Sequence, residues 1–367
     1  MAEVVSGVGR VVGAVPRPPE LRRLLTHQAT GAAGDALVAL ALAGSLFFSV
    51  PETTARGRVG LYLALTVAPF AVIAPLLARI LDRFRGSLRW AMVVTSIGRA
   101  TLAWWMATRL DSLLLFPLAF GILMLSRAAL VVRGAMLPTV VAEGATLVDA
   151  NSSLSRVSAV AGMVAGLPGL AIAHFLGAEV ELLFAAAVYY LGAIPALRLP
   201  RTRGKRKKRE RLGARAVARS RAMRQAVMAT SGMRFLVGYL VFHLAFALRR
   251  EQLSSIGLGV LIGSAAFGGL AGALVAPRLR KKLSEEGMLF AALVAGGVIG
   301  LVVGRWFSLI TAGALVFVFG IASGSAKVAF DSIVQRELPE GARGWAFARF
   351  ESTLQLAWVA GAAAPLI

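Results

Sequence analysis

The chain of 367 residues has no cysteine, which excludes disulfides, thiolate metal sites and cysteine nucleophiles. Histidine is nearly as scarce. His27, His174 and His243 lie far apart and show no metal-ligand spacing. Acidic residues number 18 against 40 Lys and Arg, a formal net charge of +22. Charged residues of both signs make up only 16% of the chain, whereas a soluble domain carries about 25%. There is no Walker sequence, no nucleophile elbow and no HExxH zinc helix. No polar stretch is long enough to hold an ATPase. These absences argue against an enzyme and call for no cofactor. A cleavable signal peptide is not expected either, since the first 28 residues hold Arg10, Arg17, Arg22 and Arg23 with no long apolar core before them.

What the chain has instead is apolar sequence, at 57% of residues and a mean hydropathy of +0.74. It is grouped into segments of about 20 residues, the length a helix needs to cross a bilayer. Eleven spans can be read, at about 30–50, 59–81, 90–108, 113–136, 151–175, 180–198, 229–248, 256–277, 287–306, 309–335 and 344–367. Each must be helical, because lipid cannot satisfy open backbone groups. The expected fold is an all-α polytopic membrane protein.

The basic residues favour every second gap. The N-terminal arm and the even-numbered gaps hold 30 of them, the odd-numbered gaps hold six, and four lie inside apolar segments. Positive loops stay inside, so the arm 1–28 and the loop 199–228 are expected in the cytoplasm, in a plasma or inner membrane. This alternation explains the basic balance better than nucleic-acid binding does. The loop 199–228 is the one clear linker, and its basic run is suited to anionic lipid headgroups. It separates a bundle at 29–198 from a second at 229–367.

The two bundles read as repeats offset by about 200 residues. Ala74-Pro75-Leu76-Leu77 ends span 2, and Ala276-Pro277-Arg278-Leu279 ends span 8. Arg127 in span 4 matches Lys327 in span 10, and Leu137-Pro138 matches Leu338-Pro339. Parallel halves suit a transporter built around a midplane cavity. A repeat of six spans predicts a twelfth, so the last helix is expected to be missing from this chain, which stops inside apolar sequence at Ile367.

Ionisable residues at membrane depth are costly and are read first as functional. Asp35 stands near the start of span 1 and reads as the one acid in the apolar body of spans 1 to 9. As a coupling group it would take up and release a proton near neutral pH. The alternative is an interfacial residue held by the dipole of the helix N-terminus. Arg99, Arg127, Arg234 and Lys327 are the intramembrane cations. Arg99 and Arg127 either pair with Asp35 or face a wet cavity, while Arg234 can snorkel to the interface. Lys327 and Asp331 share a helix face at i,i+4 and can pair. His243 in span 7 is a candidate to titrate or to bind a ligand, with packing as the alternative. Glycine pairs such as Gly268/Gly272 and Gly320/Gly324 read as close helix contacts. Pro168 within span 5 reads as a bend.

The span 2–3 turn, Ala78-Arg79-Ile80-Leu81-Asp82-Arg83-Phe84-Arg85-Gly86, resembles the cytoplasmic signature Gly-x-x-x-Asp-Arg-x-Gly-Arg-Arg of the major facilitator superfamily. Asp82 and Arg83 match it. Ala78 replaces the first Gly, Arg85 stands at the second with Gly86 just after it, and the trailing Arg pair is reduced to Arg89. The repeat and the basic central loop extend the likeness over essentially the whole chain. The runs 148–158 and 334–344 are similar to the span 5 entry and the span 10–11 turn of the drug, macrolide and siderophore exporters. The resemblance implies two six-helix bundles and a latch in which Asp82 and Arg83 work with Arg133 at the end of span 4.

The resulting expectation is a proton-coupled exporter of a small amphipathic molecule. Asp35 is its coupling residue, and Arg99, Arg127, His243 and Lys327 line a cavity among spans 1, 4, 7 and 10. The excess of membrane cations leaves two alternatives open. One is an anionic or zwitterionic substrate, including a lipid, and the other is a transporter-like lipid-binding or assembly subunit without coupled transport.

Overall fold

A computed structural model describes residues 18–42, 88–110, 112, 114–142, 144–201, 216–218, 220–250, 255–305 and 308–366. Among these residues the chain forms ten long α-helices and no strand. They are α1 (Pro19–Leu42), α2 (Leu88–Ala107), α3 (Leu115–Met136), α4 (Leu147–Phe175), α5 (Gly177–Leu197), α6 (Arg221–Arg250), α7 (Ser255–Arg280), α8 (Glu285–Arg305), α9 (Leu309–Glu337) and α10 (Glu340–Ala363). Span 2, with the whole signature turn around Asp82 and Arg83, lies outside the described residues. Among the described residues, five helices are long and apolar enough to cross a membrane: α3 (with the 3-10 turn Leu137–Thr139 that follows it), α4, α5, α6 and α9.

The helix ends follow local chemistry. The helix that carries span 1 starts well before residue 30, at Pro19. Proline suits the first helical position, where no backbone N–H is needed, and Glu20 favours the positive end of the helix. The α4 helix begins earlier than hydropathy suggests because Thr146 caps it, its side chain accepting the Asp149 backbone N–H. A reciprocal box between Ser308 and Thr311 starts α9. Pro168 is carried inside the continuous helix α4.

The helices form two compact units, α1–α5 and α6–α10. In the first, a core joins Leu37 and Val38 of α1, Ala100 and Met106 of α2, Ile122 of α3, and Leu182, Ala185 and Tyr189 of α5. In the second, glycine allows backbone to meet backbone. A Cβ at Gly268 of α7 would run into the Phe317 carbonyl oxygen of α9, and one at Gly272 would run into that of Ile321. The packing role expected of each glycine pair is seen here, and the structure sets Gly268/Gly272 against Gly320/Gly324. A second crossing joins α6 and α10, where Gly238 faces the Trp358 carbonyl and Gly361 faces that of Phe235.

Candidate functional site

Because α1 starts at Pro19, Asp35 stands about four turns into the helix rather than in its first turn. The helix-dipole explanation for this acid is thereby removed, since that effect falls off within the first turn. One oxygen of Asp35, Oδ1, takes three donors. The Tyr189 hydroxyl of α5 donates at 2.7 Å, the Ser126 hydroxyl of α3 at 2.7 Å, and the Arg99 guanidinium of α2 at 3.3 Å. Four helices therefore converge on one carboxylate oxygen.

Arg99 is fully enclosed while the Asp35 side chain is 44% exposed, so the ion pair is open on the carboxylate side. The guanidinium is held in place twice more. Its Nε donates to the Thr95 carbonyl, and its plane lies over the Tyr189 ring, 4.6 Å from the centroid. Gly34 makes room for that ring, since a Cβ there would approach Tyr189 Cε1 to 2.5 Å. Of the two readings of Arg99, a pair with Asp35 or a place facing a wet cavity, the pair is present. Tyr189 and Ser126 were not anticipated. They are ordinary residues in sequence, and only the packing of α5 and α3 against α1 brings them to the acid.

A second ionic cluster lies in the other unit. Lys327 on α9 pairs with Asp331 one turn on, at 2.7 Å, as the i,i+4 spacing predicts. It also reaches Glu351 of α10 at 3.4 Å. Both carboxylates are buried. Glu351 was missed in the sequence reading. The signal for it was an acid within span 11, on the helix that follows Lys327. Arg99 is thus matched by Asp35, and Lys327 by Asp331 and Glu351.

The remaining candidates are dispersed. Arg127 is half-buried on α3, next in sequence to Ser126. Arg234 is half-buried on α6. His243 is exposed on α6, stacked on Tyr239 with ring centroids 5.2 Å apart. Arg133 lies half-buried in the last turn of α3. Its expected latch partners Asp82 and Arg83 fall outside the described residues. The second unit carries an ionic cluster of its own at the α7–α8 turn. There Arg336, near the end of α9, holds Glu285, Glu286 and Glu337, and Arg280 also reaches Glu285.

One more acid corrects the sequence reading. Asp35 is not alone in spans 1 to 9, because Glu181 lies within α5 and is fully buried. Among the described residues, neither of its carboxyl oxygens has a hydrogen-bond partner.

The comparisons agree with this architecture. The family described as Major Facilitator Superfamily matches residues 29–362. An uncharacterized protein of Mycobacterium leprae is 31% identical over 91% of this chain and 64% of its own length. One from Mycobacterium tuberculosis is 30% identical over 90% of this chain and 66% of its own. The chain thus spans slightly less than two thirds of the curated relatives it matches. Among solved structures, the human organic anion transporter MFSD10 (TETRAN) superposes with a TM-score of 0.71 at 19% identity, covering 93% of this chain and 92% of that one. A bacterial homologue of the iron transporter ferroportin gives 0.65 at 17% identity, covering 94% and 92%. FucP in its outward conformation gives 0.71 at 12% identity, covering 94% and 90%. At such identities these three speak to the fold alone. With the family match running over nearly the whole chain, this protein is a member of the Major Facilitator Superfamily, a membrane-embedded protein with a transporter fold.

Proposed function

We propose that the protein is a secondary active transporter that exports a small amphipathic molecule in exchange for protons, with Asp35 as the coupling group. The observation that carries this reading is the asymmetry of Asp35. Oδ1 is bound by three donors from three other helices, while the side chain stays half-exposed. An acid open on one side can exchange a proton with water. Its charge state sets how strongly α2, α3 and α5 are drawn to α1. Protonation weakens the pair with Arg99 and biases the equilibrium between two conformations, as coupling by alternating access requires.

The acids matched to Arg99 and Lys327 favour this reading over one built on a strongly positive, anion-binding cavity. Arg127, His243 and Lys327 are proposed as substrate-facing groups. Asp82, Arg83 and Arg133 are proposed as a cytoplasmic latch, in a plasma or inner membrane with the N-terminus inside. The linker 199–228 is proposed to lie on anionic headgroups.

The test is transport by the reconstituted full chain under an imposed pH gradient, with amphipathic dyes as probes. Wild type is expected to move dye in response to the gradient, and Asp35→Asn is expected not to. Gradient-driven efflux that persists in Asp35→Asn would overturn the assignment.

A further inference from the structure

Glu181 sits in the second turn of α5, inside the unit formed by α1–α5. It has no exposed surface, and neither Oε1 nor Oε2 finds a donor among the described residues. Its surroundings are apolar. The point where Gly169 of α4 would carry a Cβ lies 3.0 Å from Glu181 Oε1, 2.8 Å from Leu37 Cδ2 and 3.1 Å from Leu40 Cδ1. The carboxyl group is therefore pressed against a bare stretch of α4 backbone and flanked by two leucines of α1. Leu182 and Ala185, next along α5, are also fully buried.

Among the described residues, several charged and titratable groups of the neighbouring helices have partners of their own. On α1, Asp35 reaches α5 at Tyr189, further along the helix, and His27 bonds Gly192. On α2, Arg99 is committed to Asp35 and to the Thr95 carbonyl. On α4, His174 lies edge-on to Phe175, Arg156 bonds Ser153, and Asp149 belongs to the cap at Thr146. Glu179, on α5 itself, is an acid and offers no compensating charge. Among the described residues, no ion pair or hydrogen bond reaches Glu181.

An ionised carboxylate is strongly unfavourable in such a place, buried and with no partner among the described residues. The neutral acid is tolerated because it is close in size to an apolar side chain and carries no net charge. We propose that Glu181 is a proton-binding site distinct from Asp35, whose neutral acid seals α4 against α1 and α5 and whose ionisation loosens that contact at Pro168–Gly169. In the loosening step the O–H bond breaks, the proton passes to an entering water, and the electron pair stays on the carboxylate. Pro168 is the natural place for α4 to yield, because it has no backbone N–H to bond the preceding turn. The site lies next to the turn at Leu176–Gly177, at the end of α5 away from Arg198. It therefore gives the unit a proton-sensitive contact at that end of α5, whichever residue couples transport.

Infrared difference spectroscopy of the full chain in lipid tests the proposal. At neutral pH, wild type is expected to show a protonated-carboxyl band that is lost in Glu181→Gln and in Glu181→Leu and kept in Asp35→Asn. The leucine variant guards against a folding failure of the glutamine one, since it fills the same apolar site. Hydrogen–deuterium exchange supplies the second readout. Once the intrinsic pH dependence of amide exchange is divided out, protection of residues 164–176 is expected to fall severalfold in wild type as the pH is raised and to stay level in both Glu181 variants. A band unchanged by both substitutions, or protection that follows pH equally in variant and wild type, overturns the proposal. Neither result bears on Asp35, whose role is decided by gradient-driven transport.

Discussion

The Tyr189 hydroxyl donates to Oδ1 of Asp35 at 2.7 Å while the Tyr189 ring lies under the Arg99 guanidinium. One side chain thus serves both members of the ion pair. Its hydroxyl steadies the anion and its ring face steadies the cation. Tyr189→Phe keeps the second role and loses the first. It is expected to cost about 1 kcal/mol of thermal stability in detergent, the usual worth of one hydrogen bond. A melting point equal to that of wild type would mean the bond contributes nothing.

The Asp35–Arg99 pair is expected to show coupling in a double-mutant cycle. Asp35→Asn leaves Arg99 enclosed without its counter-charge, and Arg99→Gln removes that strain. The double variant should be more stable than the sum of the single losses implies, by roughly 1–3 kcal/mol, because the two residues share one interaction. Additive losses would show that the pair does not act as a unit.

Gly268 tests the α7–α9 crossing. Gly268→Ala drives a methyl group into the Phe317 carbonyl, and backbone cannot turn aside as a side chain can. A loss of roughly 1–3 kcal/mol is expected. Gly300→Ala in α8 is the control, since a Cβ there meets nothing within 4 Å. Equal melting points for the two variants would contradict the close crossing.

Arg336 is the hub of the second unit's ionic cluster. Removing it with Arg336→Ala leaves the buried Glu285 with Arg280 alone, at 3.2 Å. A destabilisation of roughly 1–3 kcal/mol is expected, because a partly satisfied buried carboxylate is costly. Thermal melting of the purified variant gives the answer, and an unshifted transition would mean the cluster is structurally idle.

His27 precedes the apolar part of α1 and donates from Nδ1 to the Gly192 carbonyl at 2.9 Å. Burial pushes its imidazole down to about 4 from 6.5. The bond to Gly192 opposes that shift, and the charges of Arg99 and Arg133 add to it. Between those two values the unfolded chain binds more protons than the folded one, so stability rises with pH in that window. The melting point should fall as the pH drops from about 6.5 toward 4, and His27→Gln should flatten that slope. An identical pH profile in the variant would remove His27 as the cause.

Much of the helical order was legible in the sequence, and Asp35 shows where the reading stopped. Hydropathy placed the acid near the start of a span, because apolar content rises only after residue 30. Pro19 and Glu20 begin the helix earlier, and the earlier start changes Asp35 from a terminal residue to a mid-helix one. The Lys327–Asp331 pair was legible because helix geometry alone sets an i,i+4 contact. Glu351 was not, since it comes from another helix. Glu181 was passed over because it stands close to the apparent edge of an apolar segment, where an acid usually meets water.

The sequence by itself determined the class of the protein and most of its helices. Lipid leaves the backbone no other way to satisfy its hydrogen bonds, so length and apolarity suffice. Tertiary structure decided which groups meet. Tyr189 lies 154 residues from Asp35 in sequence and Arg99 lies 64, separations that no local periodicity encodes. It also decided that, among the described residues, one carboxylate would be held by three donors and another by none. That outcome depends on which face each helix turns to its neighbours, and small residues such as Gly34 and Gly169 set those faces by allowing close approach.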